Sequence, residues 1–342
     1  MRLLCEQDVE RLIDPALAIA SAAAAYRRQA SGKEPAPGRL DLPRQAPTGN
    51  VLVLAGHGPD GLFCSKNNVH AYPDAGSRQR NSASMLVLWD AIRCRPLALL
   101  AATGFNNHRT AAGLAAAADK LAAGDVKTLT IFGAGKIAPA AIRYLHAVRP
   151  FERILILGRG LVRATALAET LKREPAFAQV DIGAGGDIAE ATREADVIVT
   201  LTTAAEPVFF GRDVKPGTLV ILAGANKPQS READDVLIAR GTVHVDHRDG
   251  CLTRAGDLAI PLASGVLKPQ QIAGEIGQLF ADNPPVQAAC DVTVFKSIGT
   301  IAQDIALAHA LYRRALERGV GLDFDAVTGE TPALAAVERA AS

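Results

Sequence analysis

The sequence lacks several features that would place it in a familiar class. Neither sign of charge is in excess: 37 Lys and Arg nearly cancel 36 Asp and Glu, so no strong field draws nucleic acid or an anionic membrane. Aromatic residues make up only 4% of the chain. The five cysteines, Cys5, Cys64, Cys94, Cys251 and Cys290, are scattered and form no CxxC. That argues against a disulfide framework or a zinc site and fits a reducing cytoplasm. No spacing suggests metal ligation, and His244 and His247 read as structural or solvent-facing. The alanine-rich stretches are broken by charged residues, so none reads as a membrane span. The opening MRLLCEQDVERL is charged too early for a signal peptide. Neither GxSxG nor a P-loop is present, which leaves acyl transfer and nucleotide hydrolysis without support.

What remains is the composition of a soluble enzyme, 49% hydrophobic and 21% charged over 342 residues, a length that suggests two domains. An apolar stripe through Val9, Leu12, Ile13, Ala16 and Ile19 predicts a helix over about 7–30. The stretch SGKEPAPGRLDLP is too rich in breakers to continue it. Strands are expected at 50–56, 61–68, 83–90 and 95–102, with turn residues between them that suggest a mixed or antiparallel sheet. An alanine-rich helix follows from about His108 to Ala122. From residue 127 strands and helices alternate, with strands expected near 127–132, 153–158, 196–202, 218–224, 242–247 and 291–297. This predicts an α/β chain with a Rossmann-type parallel sheet covered on both faces. The helix beginning near Gly299 is expected to return to the first domain. That gives a discontinuous α+β domain, 1–124 with 300–342, around a dinucleotide domain at 125–299.

The segment Gly133-Ala134-Gly135-Lys136-Ile137-Ala138 fits G-x-G-x-x-A directly after an apolar strand and at a helix start. Gly133 permits the tight turn, Gly135 lets a pyrophosphate approach the backbone, and Ala138 keeps helix and strand close. An acid at the end of the next strand would bind the ribose 2′-OH of NAD. Here Gly158 is followed by Arg159, with Arg163 one turn on and no acid between them. A guanidinium suits a 2′-phosphate, so NADP(H) is favoured over NAD(H).

Two cations in the first domain stand out: Lys66 within SKNNVHAYP, and Arg109 in NNHRTAAG at a helix start. A buried lysine beside a cofactor can exchange a proton, and an arginine can hold a substrate carboxylate. His70 and His108 flank these residues as proton shuttles or hydrogen-bonding supports.

The lysine-bearing strand up to Pro73, the RTAA helix start, GAGKIA, AGDL at 255–258 and VTVFKSIGTIAQD at 292–304 together resemble the ornithine cyclodeaminase/μ-crystallin family over nearly the whole chain. The resemblance implies that Lys66 meets the substrate's amino or carbonyl group and that Arg109 binds its carboxylate. A second carboxylate ligand is implied after the first helix, where Arg39 is the best match and Arg44 competes. Thr202, Ser297 and Gly299 match positions lining the nicotinamide. A homodimer through the first domain's sheet is also implied.

Where relatives commonly carry Gly-Ala-Asp, this chain reads Gly224-Ala225-Asn226. Asparagine orients a water or an amine but accepts no proton. The expected activity is therefore NAD(P)H-dependent reduction of a small α-imino or cyclic ketimine carboxylate, or the reverse amino-acid oxidation, with Lys66 and Asn226 at the reacting group. Ornithine cyclodeamination, an opine-type dehydrogenase suggested by SRQRNSAS at 77–84, and a non-catalytic crystallin-like role stand as alternatives.

Overall fold

The computed structural model describes residues 1–32, 38–45, 48–72, 81–281 and 291–324. The chain opens with β1 (Arg2–Leu4), α1 (Glu6–Leu12) and α2 (Pro15–Ala30). Five strands follow, β2 (Gly38–Gln45), β3 (Thr48–His57), β4 (Leu62–Ala71), β5 (Asn81–Asp90) and β6 (Arg95–Ala101), and then α3 (Thr103–Leu121). Alternation begins with β7 (Thr128–Phe132), α4 (Ala138–Val148), β8 (Arg153–Leu157), α5 (Leu161–Lys172), β9 (Asp181–Ala184) and α6 (Ile188–Glu194). It continues through β10 (Val197–Thr200), β11 (Leu219–Leu222), α7 (Asp235–Arg240), β12 (Gly241–Val245), α8 (Arg248–Arg254) and α9 (Gly256–Ala263). The last elements are β13 (Ile272–Glu275), β14 (Val292–Lys296), α10 (Ile301–Arg318) and β15 (Leu322–Asp323).

These elements form two compact units, Met1–Arg109 with the chain from Ile301 onward, and Thr110–Thr300. The first boundary lies inside α3, whereas the sequence places it beyond that helix. The start of α3 is bonded within the first unit: the Glu6 carboxylate accepts from the Thr103 and Gly104 amides, both at 3.0 Å. That distant cap also explains why α3 begins at Thr103 rather than near His108, since no local capping residue announces it.

In the first unit the strand order is β15-β1-β6-β5-β4-β3-β2, with β2 to β6 an antiparallel meander. β4 alternates: Leu62, Cys64, Lys66 and Asn68 are buried, whereas Asn67 and Val69 are exposed. α10 lies on the buried face, so close that a Cβ on Gly56 would come within 2.5 Å of Ile301 Cγ2. The predicted single helix over 7–30 is two, because Pro15 cannot continue α1 but suits the first turn of α2, with Asp14 capping the Leu17 amide at 2.8 Å. The breaker-rich stretch contains β2, whose described part carries Pro43 on an edge strand paired only with β3.

The second unit holds eight parallel strands in the order β13-β12-β14-β11-β10-β7-β8-β9. Every residue of β10 and β11 is buried, as expected for central strands covered on both faces. The winding reverses between β7 and β10, and ligands of such sheets bind at the strands' carboxyl ends at that point.

Candidate functional site

In the first unit, Lys66, Arg109 and Asp304 converge. Lys66 on β4 is 1% exposed, and its ammonium donates to Asp304 Oδ2 at 2.7 Å and to Asn106 Oδ1 at 3.0 Å. Arg109 on α3 donates from Nε to Asp304 Oδ1 at 2.9 Å. One buried carboxylate on α10 therefore holds both cations. Burial pushes the Lys66 ammonium below its ordinary pKa; the Asp304 charge opposes that shift and Arg109 adds to it. Among the described residues the terminal nitrogens of Arg109 meet no acceptor, which leaves its fork available to a carboxylate.

Strand register separates Arg39 from Arg44. Arg39, Leu54, Lys66, Leu86 and Leu100 stand side by side across β2 to β6 and so share one face of the sheet. Arg44, five residues further along β2, belongs to the opposite face. Of the flanking histidines, His70 Nδ1 bonds Ser82 Oγ at 3.0 Å and His108 Nε2 sits 3.2 Å from the Glu10 carboxylate. Both are held as supports. Pro73 and the first half of the 77–84 tract lie outside the described residues.

The glycine turn of the second unit has the shape a pyrophosphate needs. Gly133 has φ +114°, and a Cβ there would come within 2.6 Å of the Leu201 carbonyl oxygen. A Cβ on Gly135 would meet nothing within 4 Å, so the backbone is open to an approaching group. Ala138 is fully buried at the start of α4, while Ala134 and Ile137 are partly buried and Lys136 is exposed. These residues fit a bound dinucleotide. Arg159 and Arg163 are exposed beyond β8 and meet no carboxylate among the described residues.

Thr202 and Gly224 sit just past β10 and β11, tied together by a residue the sequence did not flag. Glu232 is fully buried; its Oε1 accepts from the Thr202 amide and hydroxyl, both at 2.7 Å. Its Oε2 accepts from the Gly224 and Ala225 amides at 2.7 and 3.0 Å. Beneath it, Asp257 accepts from the Glu232 amide at 2.6 Å and from the Lys296 ammonium at 2.8 Å. Asp246 does the same for the loop after β14, accepting from Ser297 Oγ at 2.8 Å and the Gly299 amide at 2.7 Å. Asn226 is exposed beyond this clamp. His247 caps α8, its Nδ1 accepting from the Gly250 amide at 3.0 Å, and burial holds His244 below its ordinary pKa. Among the described residues no group of His, Cys, Asp and Glu could hold a metal ion, and no helix is long and apolar enough to cross a membrane.

The ornithine cyclodeaminase/mu-crystallin family model matches residues 1–319. The chain belongs to that family. A Δ1-pyrroline-2-carboxylate reductase of Bacillus cereus is 34% identical over 69% of this chain and 72% of the relative. The structure of Thermococcus litoralis Δ1-pyrroline-2-carboxylate reductase in complex with NADH and L-proline superposes with TM-score 0.87 at 28% identity, covering 94% of this chain and all of that one. An archaeal alanine dehydrogenase dimer with bound NAD shares the fold, with TM-score 0.85 at 23% identity over 94% of this chain and 98% of that one.

Proposed function

We propose that this protein reduces a small α-imino or cyclic ketimine carboxylate with a nicotinamide dinucleotide, or runs the same reaction in reverse on the amino acid. The observation that carries the reading is the buried Lys66–Asp304–Arg109 cluster, in which a proton donor and a carboxylate-binding fork share one counter-ion. Relatives that reduce Δ1-pyrroline-2-carboxylate support it. Arg109 takes the substrate carboxylate through its two free terminal nitrogens, with Arg39 the second ligand on the same sheet face. Asp304 keeps Lys66 charged against its burial, and the lysine gives a proton to the substrate nitrogen. When bound, the reduced dinucleotide would supply the hydride that takes C=N to CH–NH, at the expense of its own two-electron oxidation. Asn226 contributes hydrogen bonding without taking a proton.

The turn from Gly133 to Ala138 would hold the pyrophosphate, with Thr202, Gly224, Ser297 and Gly299 at the strand ends forming the remainder of the cofactor site. Arg159, exposed and without a carboxylate partner, favours NADP(H) over NAD(H). The assembly proposed is a cytoplasmic homodimer. Leu40, Leu42, Val69 and Met85 share the sheet face opposite Lys66, and all four are exposed, an apolar surface that a second copy would cover.

The deciding experiment follows NADPH and NADH oxidation with pyrroline-2-carboxylate, piperideine-2-carboxylate and α-keto acids plus amines. Turnover of at least one imine with NADPH is expected. Tight dinucleotide binding with no turnover of any substrate would replace this reading with a non-catalytic one.

A further inference from the structure

Lys66 does more than hold Asp304: it fixes the direction of a chain of hydrogen bonds that ends on an unspent donor. The lysine ammonium carries only hydrogens, so the Asn106 atom that faces it at 3.0 Å is the carbonyl oxygen. The Asn106 amide group must then donate away from the lysine. It does so to Asn68 Oδ1 at 3.3 Å and to Ser84 Oγ at 3.0 Å, and Ser84 Oγ in turn donates to Asn68 Oδ1 at 2.7 Å. Asn68 therefore has its oxygen committed to two donors. Its Nδ2 hydrogens are left without an acceptor among the described residues, although the residue is only 6% exposed. The Nδ2 atom is not itself sealed from solvent, so its donors are available to an incoming acceptor.

Asn68 lies two residues beyond Lys66 on the same face of β4, so their Cα atoms are about 7 Å apart. That separation is of the order of a short carbon chain. We propose that Asn68 is a specificity-determining residue, and that the substrates are imino acids bearing a second oxygen acceptor, on a ring or side chain, which receives the Asn68 Nδ2 hydrogens. The proposal rests on the imine-reductase reading above and narrows its substrate class. An all-carbon ring would leave the donor unmatched, whereas a hydroxyl, carbonyl or second carboxylate satisfies it. A site built to hydrogen-bond a substrate group discriminates strongly against the analogue that lacks it.

The test compares kcat/KM for pyrroline-2-carboxylate with that for its ring-hydroxylated analogue and for 2-iminoglutarate formed from 2-oxoglutarate and ammonia. The first comparison probes a neutral oxygen and the second an anionic one. The wild-type protein should favour at least one oxygen-bearing imine over the unsubstituted ring, by roughly 3- to 10-fold for the hydroxyl and on the order of 10- to 100-fold for the carboxylate. In Asn68→Leu the ratio should collapse to about one or below. Asn68→Asp keeps an oxygen towards Ser84 and Asn106 while deleting the donor, so it should lose the preference as well, and it serves if the leucine variant does not fold. A wild-type preference for the unsubstituted ring, or a ratio that survives both substitutions, overturns the role of Asn68 while leaving imine reduction standing. Dinucleotide binding with no reduction of any of the three imines overturns both.

Discussion

Asp304→Asn is the substitution that most directly probes how the buried cluster works. The wild-type carboxylate bridges Lys66 Nζ at 2.7 Å and Arg109 Nε at 2.9 Å, and both Lys66 and Asp304 are 1% exposed. Burial pulls the lysine below its ordinary pKa, the Arg109 charge adds to that pull, and the Asp304 charge is the chief force opposing both. Asparagine still accepts a hydrogen bond, but its charge is gone. Breaking a buried pair by removing one charge costs roughly 3–5 kcal/mol. For Lys66 itself, losing the Asp304 charge removes the chief force that opposes burial, so its pKa falls further. With the protonated lysine as the proposed donor in imine reduction, activity is lost as pH rises through its pKa. This basic limb of the kcat profile should therefore move towards acid in the variant. Steady-state NADPH oxidation across a pH series, with a cyclic ketimine held saturating, reads the limb directly. A uniform fall in kcat with the limb unmoved would refute the electrostatic role and leave Asp304 a mere scaffold.

Lys66→Met should lower kcat for reduction by about 10²- to 10⁴-fold, while dinucleotide affinity, measured by fluorescence titration, stays within about threefold because the turn at Gly133 belongs to the other unit. Arg159→Ala should reduce kcat/KM with NADPH roughly 10-fold or more and leave the NADH value nearly unchanged; parallel losses with both cofactors would show that Arg159 does not read the 2′-phosphate. Gly224→Ala would place a Cβ 2.2 Å from the Thr202 carbonyl oxygen and 2.4 Å from Glu232 Oε1, so thermal melting should show a loss of roughly 2 kcal/mol or more. Burial holds His146 below its ordinary pKa, and its Nδ1 accepts from the Phe151 amide at 3.1 Å. The unfolded chain then binds the extra proton more readily, so stability is lost as pH falls below the unfolded value of about 6.5. His146→Asn should flatten the decline of Tm between about pH 7 and pH 5.

Where the determinants of structure are local, the sequence is a good guide. The apolar runs at 153–158, 196–202 and 218–224 become β8, β10 and β11 because buried parallel strands need no help from polar partners to be recognised. GAGKIA carries the chain from the end of a strand to a helix start in six residues, and the positive φ of Gly133 follows from that pattern. Elements with distant determinants are not legible in this way. The start of α3 depends on Glu6, about a hundred residues earlier in the chain, and β2 is strand-like only because β3 offers it an edge. The clamp of Glu232, Asp257 and Lys296 links residues 25 and 39 positions apart. Asp304 was visible within VTVFKSIGTIAQD, but nothing in that string says it will reach both Lys66 and Arg109. Parity along β2 could have separated Arg39 from Arg44, but only once the strand itself was known.

Net reduction and cyclodeamination place different demands on the second unit, and its carboxylates favour the first. A cofactor recycled within the site requires a group near the strand ends that takes up a proton after the first hydride movement, and Asn226 cannot. A neighbouring acid could in principle substitute. Glu232, however, already accepts from four donors at the ends of β10 and β11. Asp257 is bound by two amides and an ammonium, and Asp246 by a hydroxyl, two amides and the Cys251 thiol. Carboxylate oxygens so fully engaged by these donors offer no open position to a substrate proton. The expected outcome is that ornithine with catalytic dinucleotide yields no proline and no ammonia, while imine reduction consumes one NADPH per amino acid formed. Proline appearing without net cofactor consumption would show that a base other than these three serves the site, and the assignment of Asn226 would fall with it.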